Sequence, residues 1–285
     1  MNNKTRKLCA SCLKFDFNKT LKSSNKNKPK WLDQVDYVQL FVNKNSKNFN
    51  NKYPSNYNKT IVINLGKKYS HRKILYWAAK PSNKLIINGA KKAYGDFSNS
   101  GVATIDKNGN VKIKILIPQN YKTIAKNDNH YTTFFKHIHF VLSNKNNDQW
   151  IFKIYTKLIH NNYNYKQLLQ KLNSKEAVIL NVLPSQYYAK DHIPNTYNLP
   201  VSQIKKMSVE DLNTWFISVI GLHYPKLKKI LNTKLQLYEI PIVCYCAHNK
   251  CTASKDAAEL LMKKGYVNVS LYEDGMKDYN QQSKR

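Results

Sequence analysis

The sequence predicts two domains: an N-terminal antiparallel β-sandwich and a C-terminal α/β domain with a mainly parallel sheet flanked by helices. Three observations lead there. At 285 residues the chain is long enough to bury two separate cores. From Thr60 onward, short apolar runs are separated by turn signals. After Lys157 the apolar period lengthens to that of a helix, and strands and helices then alternate to the end. The divisions fall at 1–58, a partly ordered Lys/Asn-rich arm, 59–158, the sandwich, and 159–285, the α/β domain.

Each element has its own signal. The arm is dominated by Asn, Lys and Ser, with sparse apolar groups such as Trp31 and Leu32, and only residues 36–42 alternate as a strand would. Sandwich strands are expected at 61–65, 74–78, 85–87, 102–105, 111–117, 138–142 and 150–155. Turns between them are marked by Asn88-Gly89, Asn99-Ser100-Gly101 and Asp106-Lys107-Asn108-Gly109. Tyr165, Leu168, Leu169 and Leu172 recur at helical spacing. Strands are expected at 177–182, 240–245 and 267–272, and helices at 184–190, 208–222 and 254–264. Ser208 with Asp211 resembles a capping box, although Asp replaces the preferred Glu or Gln.

Composition excludes several classes. No apolar stretch approaches the roughly 20 residues that span a bilayer, and the basic start leads into no apolar segment of a secretory signal. A cytoplasmic or virion-associated protein, not a secreted one, is therefore expected. Five cysteines, an odd number, make no disulfide framework, so reduced thiols are the default. Cys9 and Cys12 form a C-x-x-C pair without the second pair that a zinc ribbon needs. Residues 171–285 carry 16 basic and 10 acidic side chains against 47 and 17 in the whole chain, so most of the net charge of +30 lies in residues 1–170. That basic part can attract nucleic acid, or it can be a solvated Lys-rich surface of the kind AT-rich coding produces.

The chemistry is concentrated near residue 246. An apolar run, Ile242-Val243-Cys244-Tyr245, delivers Cys246 into a polar turn, after which Ser254 opens an amphipathic helix carrying Ala257, Ala258, Leu260 and Leu261. A helix N-terminus offers unpaired N–H groups and partial positive charge, which favour a thiolate and a bound oxyanion. Flanking residues carry a resemblance. Tyr188, His192, Ile193, Pro194, Asn198 and Pro200 follow the first signature of rhodanese-like domains. Val243, Tyr245, Cys246, Ala257, Ala258, Gly265, Tyr266, Asn268, Val269 and Gly275 follow the second, with Tyr279 for its final aromatic residue.

The resemblance implies a sulfurtransferase. Cys246 would be the catalytic nucleophile, taking sulfane sulfur from a thiosulfate-like donor as a persulfide and passing it to a thiophilic acceptor, with no cofactor. Ala247, His248, Asn249, Lys250, Cys251, Thr252, Ala253 and Ser254 would form the substrate-binding loop. Asn181, Leu183 and Asp191 depart from the family's usual Asp, Arg and Gly, and the loop is longer than usual and lacks arginine. His248 and Lys250 are its only side chains suited to an anionic donor. The C-x5-R phosphatases resemble this loop in geometry, but Thr252 stands where their guanidinium fork would, which argues against that chemistry. Cys251 is either a resolving thiol or a small residue packed under the loop. Cys244, expected inside the sheet, is assigned no chemistry.

Residues 101–140 resemble the sandwich core of intradiol ring-cleaving dioxygenases, through the run from Gly101 to Tyr121 and the H-I-H-F at His137 to Phe140. That resemblance implies non-haem ferric iron held by Tyr121, His137 and His139, with a further tyrosine from Tyr76 or Tyr94. A polar insertion at 126–130 loosens the match. Two histidines at i and i+2 on a strand share a face and can meet one metal, or form a hydrogen-bonded pair. The sandwich can equally serve self-association. Against the enzyme stands a second class, a catalytically silent rhodanese-fold basic protein, structural or nucleic-acid-associated and viral.

Overall fold

The computed structural model describes residues 51–82, 87–124, 131–147, 150–151 and 153–284. The expected strand at 36–42, the Cys9/Cys12 pair and the insertion at 126–130 lie outside the described residues. The chain divides into two compact units between Ile159 and His160. Among the described residues no helix is long and apolar enough to cross a membrane.

The first unit is built mainly on antiparallel pairing, with a short parallel pair as well. Strands β1 (Lys59–Asn64), β2 (Lys73–Ala78), β3 (Ile87–Asn88), β4 (Ser100–Thr104), β5 (Asn110–Ile115), β6 (Tyr121–Ile124), β7 (Tyr131–Phe134), β8 (His137–Leu142) and β9 (Tyr155–Leu158) are joined by one short helix, α1 (Ala90–Tyr94). They form a β1-β5 ribbon, a four-stranded sheet in the order β4-β2-β8-β9, and a β3-β6-β7 sheet. Every residue of β2 and β8 is buried. One face, with Ile74, Tyr76, Ile138, Phe140 and Leu142, packs with Ile63, Val111, Ile113 and Ile115 of the ribbon. The other, with Leu75, Trp77, Val102 and Val141, packs with Ala90, Ala93 and Tyr94 of α1 and Tyr121 of β6.

This architecture differs from the two packed sheets expected of a sandwich, because the four-stranded sheet carries a core on both faces. Strands covered on both sides become continuous apolar runs, as β2 reads from Ile74 to Ala78; β8 departs from this at His137 and His139. The strand expected at 150–155 is displaced: Trp150 forms an isolated bridge to Ser143, and Tyr155–Leu158 pairs with β8.

The second unit is a parallel sheet with helices. Its strands, β10 (Asn161–Asn162), β11 (Val178–Asn181), β12 (Tyr197–Asn198), β13 (Ile242–Tyr245) and β14 (Val269–Tyr272), lie in the order β10-β14-β13-β11-β12, every pair parallel. The helices are α2 (Tyr165–Ser174), α3 (Ser185–Lys190), α4 (Val201–Lys206), α5 (Val209–His223), α6 (Pro225–Ile230), α7 (Ala253–Lys263) and α8 (Gly275–Gln282). One face of the sheet buries Ile179, Val243, Tyr245 and Tyr272 with Leu168 of α2 and Met276 of α8. At α5 the Ser208 hydroxyl accepts from the Asp211 N–H at 3.0 Å and the Asp211 carboxylate accepts from the Ser208 N–H at 3.0 Å, so the shorter Asp closes the capping box.

Candidate functional site

Cys246 follows the central strand β13 directly, at its C-terminal end, the usual place for ligands in an open α/β sheet. The chain runs through an exposed turn, His248 to Lys250, and enters α7 at Ala253. Ala253 and Ser254 are thus first-turn helical residues rather than loop, and Thr252 is the N-cap position. The Thr252 hydroxyl donates to the Asp256 carboxylate at 3.0 Å.

The sulfur is enclosed. Cys246 is 0% exposed, and its thiol faces the carbonyl oxygens of Cys251 at 3.5 Å and His248 at 3.9 Å and the Ser254 hydroxyl at 3.5 Å. Burial pushes the thiol above its ordinary value, the Ser254 hydroxyl and N–H draw it partly back, and the neighbouring Cys251 thiol pushes it up again. This direction runs against the low-pKa thiolate expected from the helix N-terminus. Desolvation, with the Cys251 thiol, outweighs the Ser254 donors at the helix end.

Three supports hold the loop. The Met276 N–H donates to the Cys246 carbonyl at 3.0 Å and the Lys277 N–H to the Ala247 carbonyl at 2.9 Å, so the start of α8 clamps the backbone on both sides of the sulfur. Gly275 permits this approach: its φ is +61°, and a Cβ there would lie 2.2 Å from the Cys246 carbonyl oxygen. The Tyr245 hydroxyl accepts from the Ile193 N–H at 3.1 Å and meets the Thr196 hydroxyl at 2.8 Å. Through Tyr245, the segment after α3 is tied to the strand that carries the cysteine. Lys255 pairs with Glu273 at 3.2 Å, and within the loop His248 and Lys250 are exposed to solvent.

The departures from the family pattern have local explanations. Asn181 keeps an anchoring role, its side-chain oxygen accepting from the Leu183 N–H at 3.0 Å. Asp191 has φ −161°, an extended backbone that needs no glycine, and its carboxylate accepts from Asn280 at 2.8 Å. Asn198 donates to the carbonyls of Asn181 and Leu183. His192 stacks on Tyr188 and donates through Nδ1 to the Tyr188 carbonyl. Tyr279 packs against Tyr165. Cys244, opposite Leu180 and Leu271 within the sheet, is fully buried, which drives its thiol pKa strongly upward.

In the first unit the structure brings Tyr121, His137 and His139 together and adds Tyr94. The two Nε2 atoms are 2.9 Å apart, and the Tyr94 and Tyr121 hydroxyls lie 3.1 and 3.5 Å from His137 Nε2. All four side chains are buried. His137 Nδ1 lies 2.5 Å from the Phe135 carbonyl, which can only accept, so the proton sits on Nδ1 and Nε2 presents its lone pair inward. His139 Nδ1 pairs with the Thr156 hydroxyl at 2.9 Å, its cross-strand neighbour on β9. Burial above all holds His139 well below the ordinary imidazole value, hence neutral. Between the two candidate tyrosines the choice is plain: Tyr76 points to the other face and donates to the Lys114 carbonyl at 3.0 Å. Among the described residues no three His, Cys, Asp or Glu side chains are grouped to hold a metal, so the cluster depends on its phenols.

Residues 164–282 match the family described as Rhodanese-like domain. The second unit, with its parallel sheet and its cysteine at the end of the central strand, is a rhodanese-like domain. Solved structures similar to this chain include the human single-domain sulfurtransferase TSTD1, at 20% identity over 44% of this chain and 98% of that one, with a TM-score of 0.33. The Saccharomyces cerevisiae single-domain sulfurtransferase RDL2 is similar at 18% identity over 45% and 94%, with a TM-score of 0.34. A rhodanese-related protein of Thermoplasma volcanium is similar at 20% identity over 43% and 93%, with a TM-score of 0.29. A comparison with curated proteins returns no match. The family match does not extend to residues 101–142, where side-chain geometry alone bears on the ligand set suggested by the dioxygenase resemblance.

Proposed function

We propose that the C-terminal unit is a sulfurtransferase with Cys246 as sulfur carrier and a thiosulfate-like anion as donor. The observation that carries this is the position of Cys246 after the central strand of a rhodanese-like domain, clamped by α8 and facing Ser254 at the head of α7. Ionised Cys246 attacks the outer sulfur of thiosulfate, sulfite leaves with the bonding pair, and a persulfide remains. Cyanide then attacks the outer persulfide sulfur, and thiocyanate departs as the Cys246 thiolate returns. The Ser254 hydroxyl and N–H supply donors to the anion at each stage. Exposed Lys250 supplies positive charge, and His248 a ring N–H donor, to an approaching anion without the bidentate fork of an arginine. The protein with thiosulfate and cyanide is expected to yield thiocyanate, and Cys246→Ser to yield none; equal inertness of both in reducing buffer removes the reading.

For the N-terminal unit, the four converging donors support a second reading, an enclosed metal centre. Two imidazoles and two phenols suit a hard, redox-active ion such as ferric iron, which supplies Lewis acidity or oxygen chemistry when bound. His137, His139, Tyr94 and Tyr121 are the residues that would hold it. Phe135 and Thr156 fix the two rings from behind, as second-layer partners of metal-binding histidines do. Loading requires the phenolic protons to leave, so uptake is expected to release protons and weaken at acid pH. Iron content near one per chain, lost in Tyr94→Phe and His139→Ala, is the expected result; a metal-free protein that takes up no added iron removes this reading.

A further inference from the structure

The cysteine loop contains its own second nucleophile. Cys251 stands five residues after Cys246, and both are free thiols. The chain turns back between them: the Cys251 N–H donates to the His248 carbonyl at 2.9 Å, and this fold lays the Cys251 carbonyl 3.5 Å from the buried Cys246 sulfur. The Cys251 thiol also acts on Cys246, pushing its pKa up. Cys246 is wholly buried and Cys251 partly exposed, so an outside acceptor must reach past the loop while Cys251 is already inside it. Cys244, locked between β11 and β14, has no comparable route.

Resting on the sulfur-carrier reading, we propose that Cys251 is an internal acceptor that discharges the Cys246 persulfide as hydrosulfide. The Cys251 thiolate attacks Cys246 Sγ, and its electron pair forms a Cys246–Cys251 disulfide. The bond from Cys246 Sγ to the outer sulfur breaks, and that sulfur leaves with the pair as HS⁻. Over the two steps thiosulfate and two thiols become sulfite, hydrosulfide, a disulfide and a proton. The two cysteines are oxidised and the sulfane sulfur is reduced, with no outside oxidant. A dithiol reductant reopens the disulfide for another turnover. The site therefore acts as a thiol-dependent, sulfide-releasing enzyme that stops after one turnover without a dithiol.

The test uses the full chain, reduced, freed of reductant and given one equivalent of thiosulfate without cyanide, with hydrosulfide assayed and peptides mapped by mass. The expected result is about one equivalent of hydrosulfide and a linked Cys246–Cys251 pair, roughly 2 Da lighter than the dithiol. Cys251→Ser is expected to lose the hydrosulfide signal and keep about 32 Da of extra mass on Cys246. If wild type itself keeps that extra sulfur on Cys246, with Cys251 still open to alkylation, the inference is overturned and the carrier reading stands. If neither chain gains sulfur nor releases any, the carrier reading fails and takes the inference with it. A disulfide that forms elsewhere also overturns the inference, and the wild-type measurement decides even if the variant does not fold.

Discussion

Substituting Gly275 by alanine perturbs the cysteine loop without touching a reacting group. The new Cβ would stand 2.2 Å from the Cys246 carbonyl oxygen, on a residue with φ +61°. Ordinary contact requires the two to separate by about 1 Å, and the left-handed conformation costs a non-glycine residue about 1–2 kcal/mol. That separation pulls apart the hydrogen bonds from Met276 and Lys277 to the Cys246 and Ala247 carbonyls. Each contributes about 1 kcal/mol, so the substitution should destabilise the unit by about 3–4 kcal/mol. With a urea dependence of about 1–3 kcal/mol per molar, the midpoint of the transition belonging to residues 160–285 falls by one to a few molar. Where α8 is displaced but the unit stays folded, misplacement of the sulfur by about 1 Å lowers the rate of thiosulfate loading by about 100-fold. An alanine variant with the wild-type midpoint and the wild-type loading rate would refute the clamp.

Other outcomes follow from the same contacts. Ser254→Ala removes a hydroxyl that favours the Cys246 thiolate; the thiol pKa should rise, moving the pH profile of persulfide formation to the alkaline side, and losing a hydrogen bond to charge of about 1.5 kcal/mol should lower the rate about tenfold at neutral pH. In wild type the burial-raised pKa makes the loading rate climb with pH through the neutral range, and a flat profile there would contradict a protonated resting thiol. Tyr245→Phe leaves the buried Ile193 N–H without its acceptor and should cost about 1–3 kcal/mol in thermal or urea unfolding. Thr156→Ala frees the His139 ring and should weaken iron retention by about 10–100-fold in competitive dialysis, with the circular dichroism spectrum unchanged.

Local signals in the sequence point to the cysteine's setting. The run Ile242 to Tyr245 is apolar because it is the central strand, covered on both faces, and Ser208 with Asp211 marks a helix start because the cap is a short-range hydrogen-bond pattern. Helix α8 escapes such reading: Gly275–Gln282 is mostly polar, and its Met276 docks only once the strands are assembled. Tyr94 sits on a five-residue helix too short to show a period, and its position beside His137 is a tertiary fact. The sandwich expectation for residues 59–158 met antiparallel sheets in a different arrangement, since alternation along a strand does not say which sheet covers which face. The state of the sulfur was equally hidden. Sequence spacing predicts helix-end donors near Cys246, but the turn at His248 to Cys251 directs carbonyls at it.

The central claim is that Cys246 carries sulfur. Peptide-resolved mass analysis of the reduced, full chain after thiosulfate treatment tests it directly, with Cys251→Ser used so that a bound sulfur is retained. The account predicts about 32 Da added to the peptide containing Cys246 and nowhere else, removed by cyanide. A Cys246 that stays unmodified at alkaline pH, where its thiolate is populated, would contradict it.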